Sequence, residues 1–145
     1  MKELFEIGIV FRGFVLVHYD FKPLPKQDPY KAGVTRDLRG AFVSAINSFV
    51  ETAFKNSFLE YLESGEILFI FKITTIKSSD SPDKEPIILY GIVKRKKKAD
   101  KLVQKFMEKI EPLLLLFVQK YEGKDFCELS QFEKFEENVK AYFEL

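Results

Sequence analysis

The sequence predicts a single α+β domain, residues 1–145, with the order β-β-α-β-β-β-α-α and a five-stranded antiparallel sheet sandwiched between helices. Three observations carry this expectation. Apolar runs of strand length, rich in β-branched and aromatic residues, open the chain and fill its middle. Apolar residues at three- and four-residue spacing mark a long helix between the second and third runs, and more helix after the last. The 145 residues show no internal repeat and no linker-like stretch, which fits one core.

The elements follow in order. Leu4–Phe11 and Phe14–Phe21 flank Arg12-Gly13 in the pattern of a β-hairpin. Both runs are nearly continuous rather than alternating, which predicts strands covered on both faces. Residues 24–34, with Pro25, Pro29 and Gly33, read as a loop. Thr35 suits a helix N-cap, with Asp37 in the first turn. Leu38, Phe42, Ala45, Ile46, Phe49 and Ala53 then form the apolar stripe of a helix over 35–55, ended by Asn56-Ser57. Phe58–Leu62 either extends that helix or forms a short strand; the Ser64-Gly65 turn that follows favours the strand. Ile67–Ile76 and Ile87–Val93 are strands separated by a polar segment, 78–86, with two prolines.

After Ala99 the period becomes helical. Asp100 suits the cap, and Leu102, Val103, Phe106, Met107, Ile110, Leu113, Leu114, Phe117 and Tyr121 form the apolar face. Pro112 removes a backbone donor and predicts a kink or a break. Gly123 suits the C-cap. Ser130-Gln131-Phe132-Glu133 has the pattern of a capping box opening a last helix, with Phe132, Phe135, Val139 and Tyr142 on one side.

Composition narrows the chemistry. Hydrophobic residues make up 46%, with 16 Phe and no Trp, which supports a packed core rather than a disordered chain. A net charge of +1 provides no global field toward nucleic acid or membrane. Cys127 is the single cysteine, so no internal disulfide forms; it fits a reducing compartment and is expected to be packed rather than reactive. The start of the chain has no apolar signal core, neither end has a lipidation motif, and the apolar run Leu113–Val118 is far too short to span a bilayer. The expected location is cytoplasmic, either free or peripheral at membranes.

Catalytic signals are sparse. His18 is the only histidine and lies in an apolar run, where a structural role is the expectation. Asp20 shares its strand face, so a pair is conceivable, and a deep polar pocket holding both would reopen catalysis. One His and one Cys cannot build a zinc site unaided. Gly8, Gly13 and Gly33 are isolated, and there is no phosphate-binding Gly-x-x-x-x-Gly-Lys run. The expectation is a protein that is not an enzyme, with no catalytic residue, no cofactor and no metal.

Charge is unevenly spread. Lys94, Arg95, Lys96, Lys97 and Lys98 are consecutive, and residues 91–110 hold eight basic and two acidic side chains, a net of +6. Residues 121–145 hold seven acidic side chains and three lysines, a net of −4. The plain reading of the basic run is a solvated strand end and helix start. Lysines before a helix N-terminus oppose its dipole, however, so docking to an acidic partner or to anionic lipid is the functional alternative. No aromatic residues interleave with the run as a nucleic-acid stacking platform would require. Tyr30, Phe143 and Leu145 lie outside the main apolar stripes and are candidates for an exposed cluster.

The element order resembles the longin domain. The resemblance rests on the hairpin around Arg12-Gly13, the helix over 35–55, three strands ending at Lys94 and the paired C-terminal helices. It is a match of order and apolar pattern over nearly the whole chain. Related roadblock domains usually begin with a helix, and the opening hairpin favours longin. The resemblance implies a cytoplasmic module that acts through protein contacts, often as a dimer, in vesicle trafficking or small-GTPase regulation. A longin SNARE continues into a coiled-coil segment and an anchor, and the end at Leu145 leads to the expectation of a free-standing module. The Lys/Glu/Phe/Ile-rich composition without Trp is similar to small archaeal longin proteins. The partner implied is a small GTPase or a longin or roadblock chain, a second copy included. Pairing of this type commonly uses the first helix and an adjacent strand edge. That points to Arg36, Arg39, Ser44, Asn47 and Glu51 on the helix, with Phe58 and Tyr61 beside it.

Overall fold

The computed structural model describes residues 3–24, 39–48 and 60–144. It is a mixed α/β fold built on one antiparallel sheet of five strands in the order β2-β1-β5-β4-β3. The strands are β1 (Leu4–Phe11), β2 (Phe14–Asp20), β3 (Tyr61–Ser64), β4 (Ile67–Ile76) and β5 (Glu85–Lys94). Residues 39–48 are helical and are termed α1; α2 (Ala99–Tyr121), a 3₁₀ turn (Leu129–Phe132) and α3 (Glu133–Glu144) follow β5.

The opening hairpin forms where the sequence predicts it. Arg12 and Gly13 both have positive φ, 51° and 82°. Those values suit a two-residue turn whose twist matches its strands, and Gly at the second position accommodates the left-handed backbone without strain. β3 starts at Tyr61 rather than Phe58, and its hairpin to β4 turns through Gly65-Glu66. Phe58, and the predicted helix ends at Thr35 and Asn56-Ser57, lie outside the described residues.

Near-continuous apolar runs do mark covered strands at the sheet centre. All eight residues of β1 are buried, as are seven consecutive residues of β5. β2 departs from this expectation: only Val17 is buried, because β2 forms a sheet edge.

One face of the sheet packs against α2 and α3. Ile7, Ile9, Leu68, Ile70, Leu89 and Val93 meet Val103, Phe106, Ile110 and Phe117, and the predicted apolar side of α2 is its buried side. Phe117 is the hub of an aromatic group, 5.7 Å from Phe132, 5.1 Å from Phe135 and 4.7 Å from Tyr121 between ring centroids. The opposite face holds Phe5, Val10, Phe69, Phe71, Ile88, Tyr90 and Ile92 with Val43 of α1.

Four local expectations are corrected. α2 runs unbroken through Pro112, which lies on the exposed side, so the carbonyl left without its donor belongs to the exposed Glu108 and faces water. The N-cap of α2 is Lys98, and Asp100 sits in the first turn, where it accepts a hydrogen bond from Tyr61 Oη at 2.9 Å. Ser130 does not cap α3: the chain enters through the 3₁₀ turn, held by Gln131 Nε2 donating to the carbonyls of Asp125 and Glu128. Phe143 is buried rather than exposed, edge-on to Phe21 at 5.4 Å. Gly123 follows the α2 C-cap with a φ of 80°, the conformation its predicted role requires. Among the described residues no helix is long and apolar enough to cross a membrane.

Candidate functional site

The sheet face under α1 carries a buried polar cluster that begins with one residue. Glu6 sits in the apolar run of β1 and is 1% exposed. A carboxylate taken out of water needs a cation and hydrogen bonds. Arg39 of α1 supplies both, with Nε donating to Oε2 at 2.9 Å and Nη2 to Oε1 at 2.5 Å. Tyr90 of β5 donates its hydroxyl to Oε2 at 2.6 Å. From β2, His18 Nε2 lies 3.4 Å from Glu6 Oε1 and 3.2 Å from Asp20 Oδ1.

Sheet register explains the convergence. Gly8 pairs with His18 on one side and Tyr90 on the other, while Glu6 pairs with Asp20. Gly8 has no side chain, and a Cβ there would collide with the Tyr90 ring. The gap at Gly8 therefore lets Tyr90 lean over β1 to reach Glu6.

Electrostatics follow the same geometry. Burial acts to raise the Glu6 carboxyl, but hydrogen bonds from His18 and Tyr90 and the Arg39 charge outweigh it and hold it below its ordinary value. Burial, then the Glu6 charge, pushes the Tyr90 hydroxyl up. Burial likewise raises the Asp20 carboxyl. The backbone N–H of His18 donates to Glu136 of α3 at 3.3 Å, which closes part of the β2 edge. His18 and Asp20 do come together, as the shared strand face suggests, and Glu6 is the partner that sequence reasoning missed. Its signal was a single charge within the apolar run Leu4–Phe11.

The predicted contact residues are placed differently from expectation. Arg39 and Asn47 face the sheet: Arg39 is bound to Glu6, and Asn47 is buried with Nδ2 donating to the Val43 carbonyl at 2.9 Å. Ser44 is half-buried and borders a cavity of about 430 Å³ between α1 and the hairpin tip. Tyr61 is half-buried and packs on the α2 side. Arg36, Glu51 and Phe58 lie outside the described residues. Of the predicted apolar stripe, the described residues are Phe42, Ala45 and Ile46: Phe42 is 45% exposed with its ring 6.2 Å from that of Phe69, Ile46 is half-buried and Ala45 is exposed. With Arg39 turned onto Glu6, Val43 and Asn47, one and two turns further on, also face the sheet, and Phe42 lies at the margin against Phe69.

The basic run Lys94–Lys98 is exposed throughout. Acidic neighbours temper it: Lys96 pairs with Glu3, and Arg95 lies 3.8 Å from Glu63 and donates to the Gly65 carbonyl at 3.2 Å. Lys94, Lys97 and Lys98 form no ion pair among the described residues.

At the hairpin tip, Arg12 donates to both Glu85 oxygens at 2.8 and 2.5 Å and reaches Asp80 at 3.2 Å; it lowers the Glu85 carboxyl, and the Ser78 hydroxyl together with Arg12 lowers that of Asp80. Cys127 is exposed, contrary to expectation, and its thiol is raised by Asp125. Beside it, Phe14 and Leu129 are 68% and 55% exposed around a small apolar hollow. No family model matches the chain, and no curated protein matches it.

Proposed function

We propose that this chain is a non-catalytic, longin-type protein-interaction module, and that the outward stripe of α1 is its docking surface. The observation that carries the reading is the orientation of α1. With Arg39 and Asn47 turned to the sheet, α1 leaves Ala45 exposed and Phe42, at the margin beside Phe69, 45% exposed, apolar surface that another protein can cover. The antiparallel sheet, with α1 on one face and α2 and α3 on the other, supports the longin reading. The partner is a small GTPase or a longin or roadblock chain, a second copy in the simplest case, in membrane-traffic machinery.

The test combines light scattering after size exclusion with pull-down against small GTPases loaded with GDP or GTP. Phe42→Asp is expected to abolish association while changing stability by less than about 1 kcal/mol. A wild-type monomer that captures no GTPase, or association unchanged in Phe42→Asp, would sink the proposal.

A second reading rests on Lys94, Lys97 and Lys98, the exposed part of the basic run without an ion pair among the described residues. In it the module is peripheral at membranes and binds anionic lipid. Co-sedimentation with vesicles rich in phosphatidylserine tests it. Binding that survives replacement of Lys96, Lys97 and Lys98 by Glu would rule it out.

A further inference from the structure

The geometry points to a zinc-type divalent-cation site formed by Glu6, His18 and Asp20, with His18 Nε2 and one oxygen from each carboxylate as ligands. This inference does not rest on the docking surface of α1.

The three ligand atoms all lie within 4.8 Å of one another. Zinc–nitrogen and zinc–oxygen bonds are about 2.0–2.2 Å, so adjacent ligands of a tetrahedral ion stand about 3.3–3.6 Å apart. The separations of His18 Nε2 from Glu6 Oε1 and Asp20 Oδ1, 3.4 and 3.2 Å, are close to two edges of such a tetrahedron. The third edge closes by rotation of Asp20, the last residue of β2, whose side chain is 62% exposed. That exposure also provides an entry path and room for a water ligand.

The surroundings suit a ligating carboxylate. Arg39 donates to both Glu6 oxygens and Tyr90 to Oε2, which leaves Oε1 able to accept once more. Hydrogen bonds of this kind hold metal-binding carboxylates in place. Among the described residues the cluster sets two carboxylates, Glu6 and Asp20, against one guanidinium, Arg39. An imidazole with two carboxylates is a donor set that zinc accepts. A proton on Nε2 is the competing occupant of the site.

The experiment titrates Zn²⁺ into the full chain carrying Cys127→Ser, which removes the exposed thiol as a decoy ligand. Calorimetry gives stoichiometry, and NMR follows the ring signals of the single histidine. One equivalent is expected to bind near neutral pH with micromolar affinity, moving those signals. Asp20→Asn is expected to weaken binding by about tenfold or more with no fall in the urea midpoint. His18→Gln is expected to abolish it. Two results overturn the site: His18 signals that do not move with about 1 mM Zn²⁺, or both variants binding Zn²⁺ as the parent does.

Discussion

The two faces of the sheet are closed by different physics. Under α2 and α3 the contact is apolar and aromatic, with Phe117 surrounded by Tyr121, Phe132 and Phe135. Under α1 the apolar contact of Val43 and Phe42 with the sheet is joined by a buried charge, and a salt bridge from Arg39 to Glu6 fixes which side of the helix faces down. Dispersion and burial are tolerant of small rotations, so a helix held by them turns its most apolar side down. A bidentate guanidinium–carboxylate pair is directional, and it can hold a helix in an orientation that hydrophobicity alone would not choose.

The sharpest way to break this comparison is to remove one anchor from each face. Arg39→Leu leaves Glu6 buried without its cation and is expected to cost about 3–5 kcal/mol in urea unfolding. Phe117→Ala opens a cavity and is expected to cost a similar 3–5 kcal/mol, again roughly. The two differ in rescue. Adding Glu6→Leu to Arg39→Leu removes the stranded charge and should recover most of the loss, whereas no second truncation restores Phe117→Ala. If the Arg39 loss persisted in the double variant, the salt bridge would not be what orients α1.

A smaller effect separates the faces by pH. The folded-state pKa of Glu6 is depressed, so its stabilisation is present above the unfolded carboxyl value and is lost as pH falls through the folded one. Asp20 is raised, so it opposes this trend, regaining stability when protonated. The Glu6 loss should therefore appear at the acid end of the carboxylate range, after Asp20 has taken its proton. Urea midpoints from about pH 6 to about pH 2 should fall less steeply in Glu6→Gln than in the parent. Equal slopes would show that Glu6 is not a principal acid-sensitive group.

The smallest effect tests the basic run. Lys97 and Lys98 precede α2 and oppose its dipole. Replacing both with Glu is expected to raise the unfolding midpoint by a few tenths of a kcal/mol. A loss of stability instead would show that the lysines have local partners worth more than the dipole.

The same contrast explains what was legible in the sequence. β1, β2, β4, β5 and the buried side of α2 were readable because each is specified by local apolar pattern. The inward turn of Arg39 and Asn47 was not, because it depends on Glu6, 33 residues away from Arg39 along the chain. Arg39 and Asn47 were picked out as polar helix residues and assigned to the surface, where such residues usually lie. What placed them inside was one carboxylate in an apolar strand, a local violation whose consequence was long-range. β2 misled in the opposite sense: its apolar content suggested a covered strand, but strand order, which pattern alone does not give, put it at an edge. Tyr61 was expected beside α1 and instead spans from β3 to Asp100 of α2, because side-chain face in a short strand depends on where the strand begins.

Gly8 and Tyr90 carry a consequence for how this fold can diverge. The bulk absent at position 8 is the bulk present at position 90, so the two sites share a single volume across adjacent strands. Neither can be altered freely by itself. A descendant that gained a side chain at position 8 would have to surrender the ring at 90, and with it the hydroxyl on Glu6. Bulk at these two positions should therefore trade off through the lineage, so that a change on one strand is inherited only with its answer on the other.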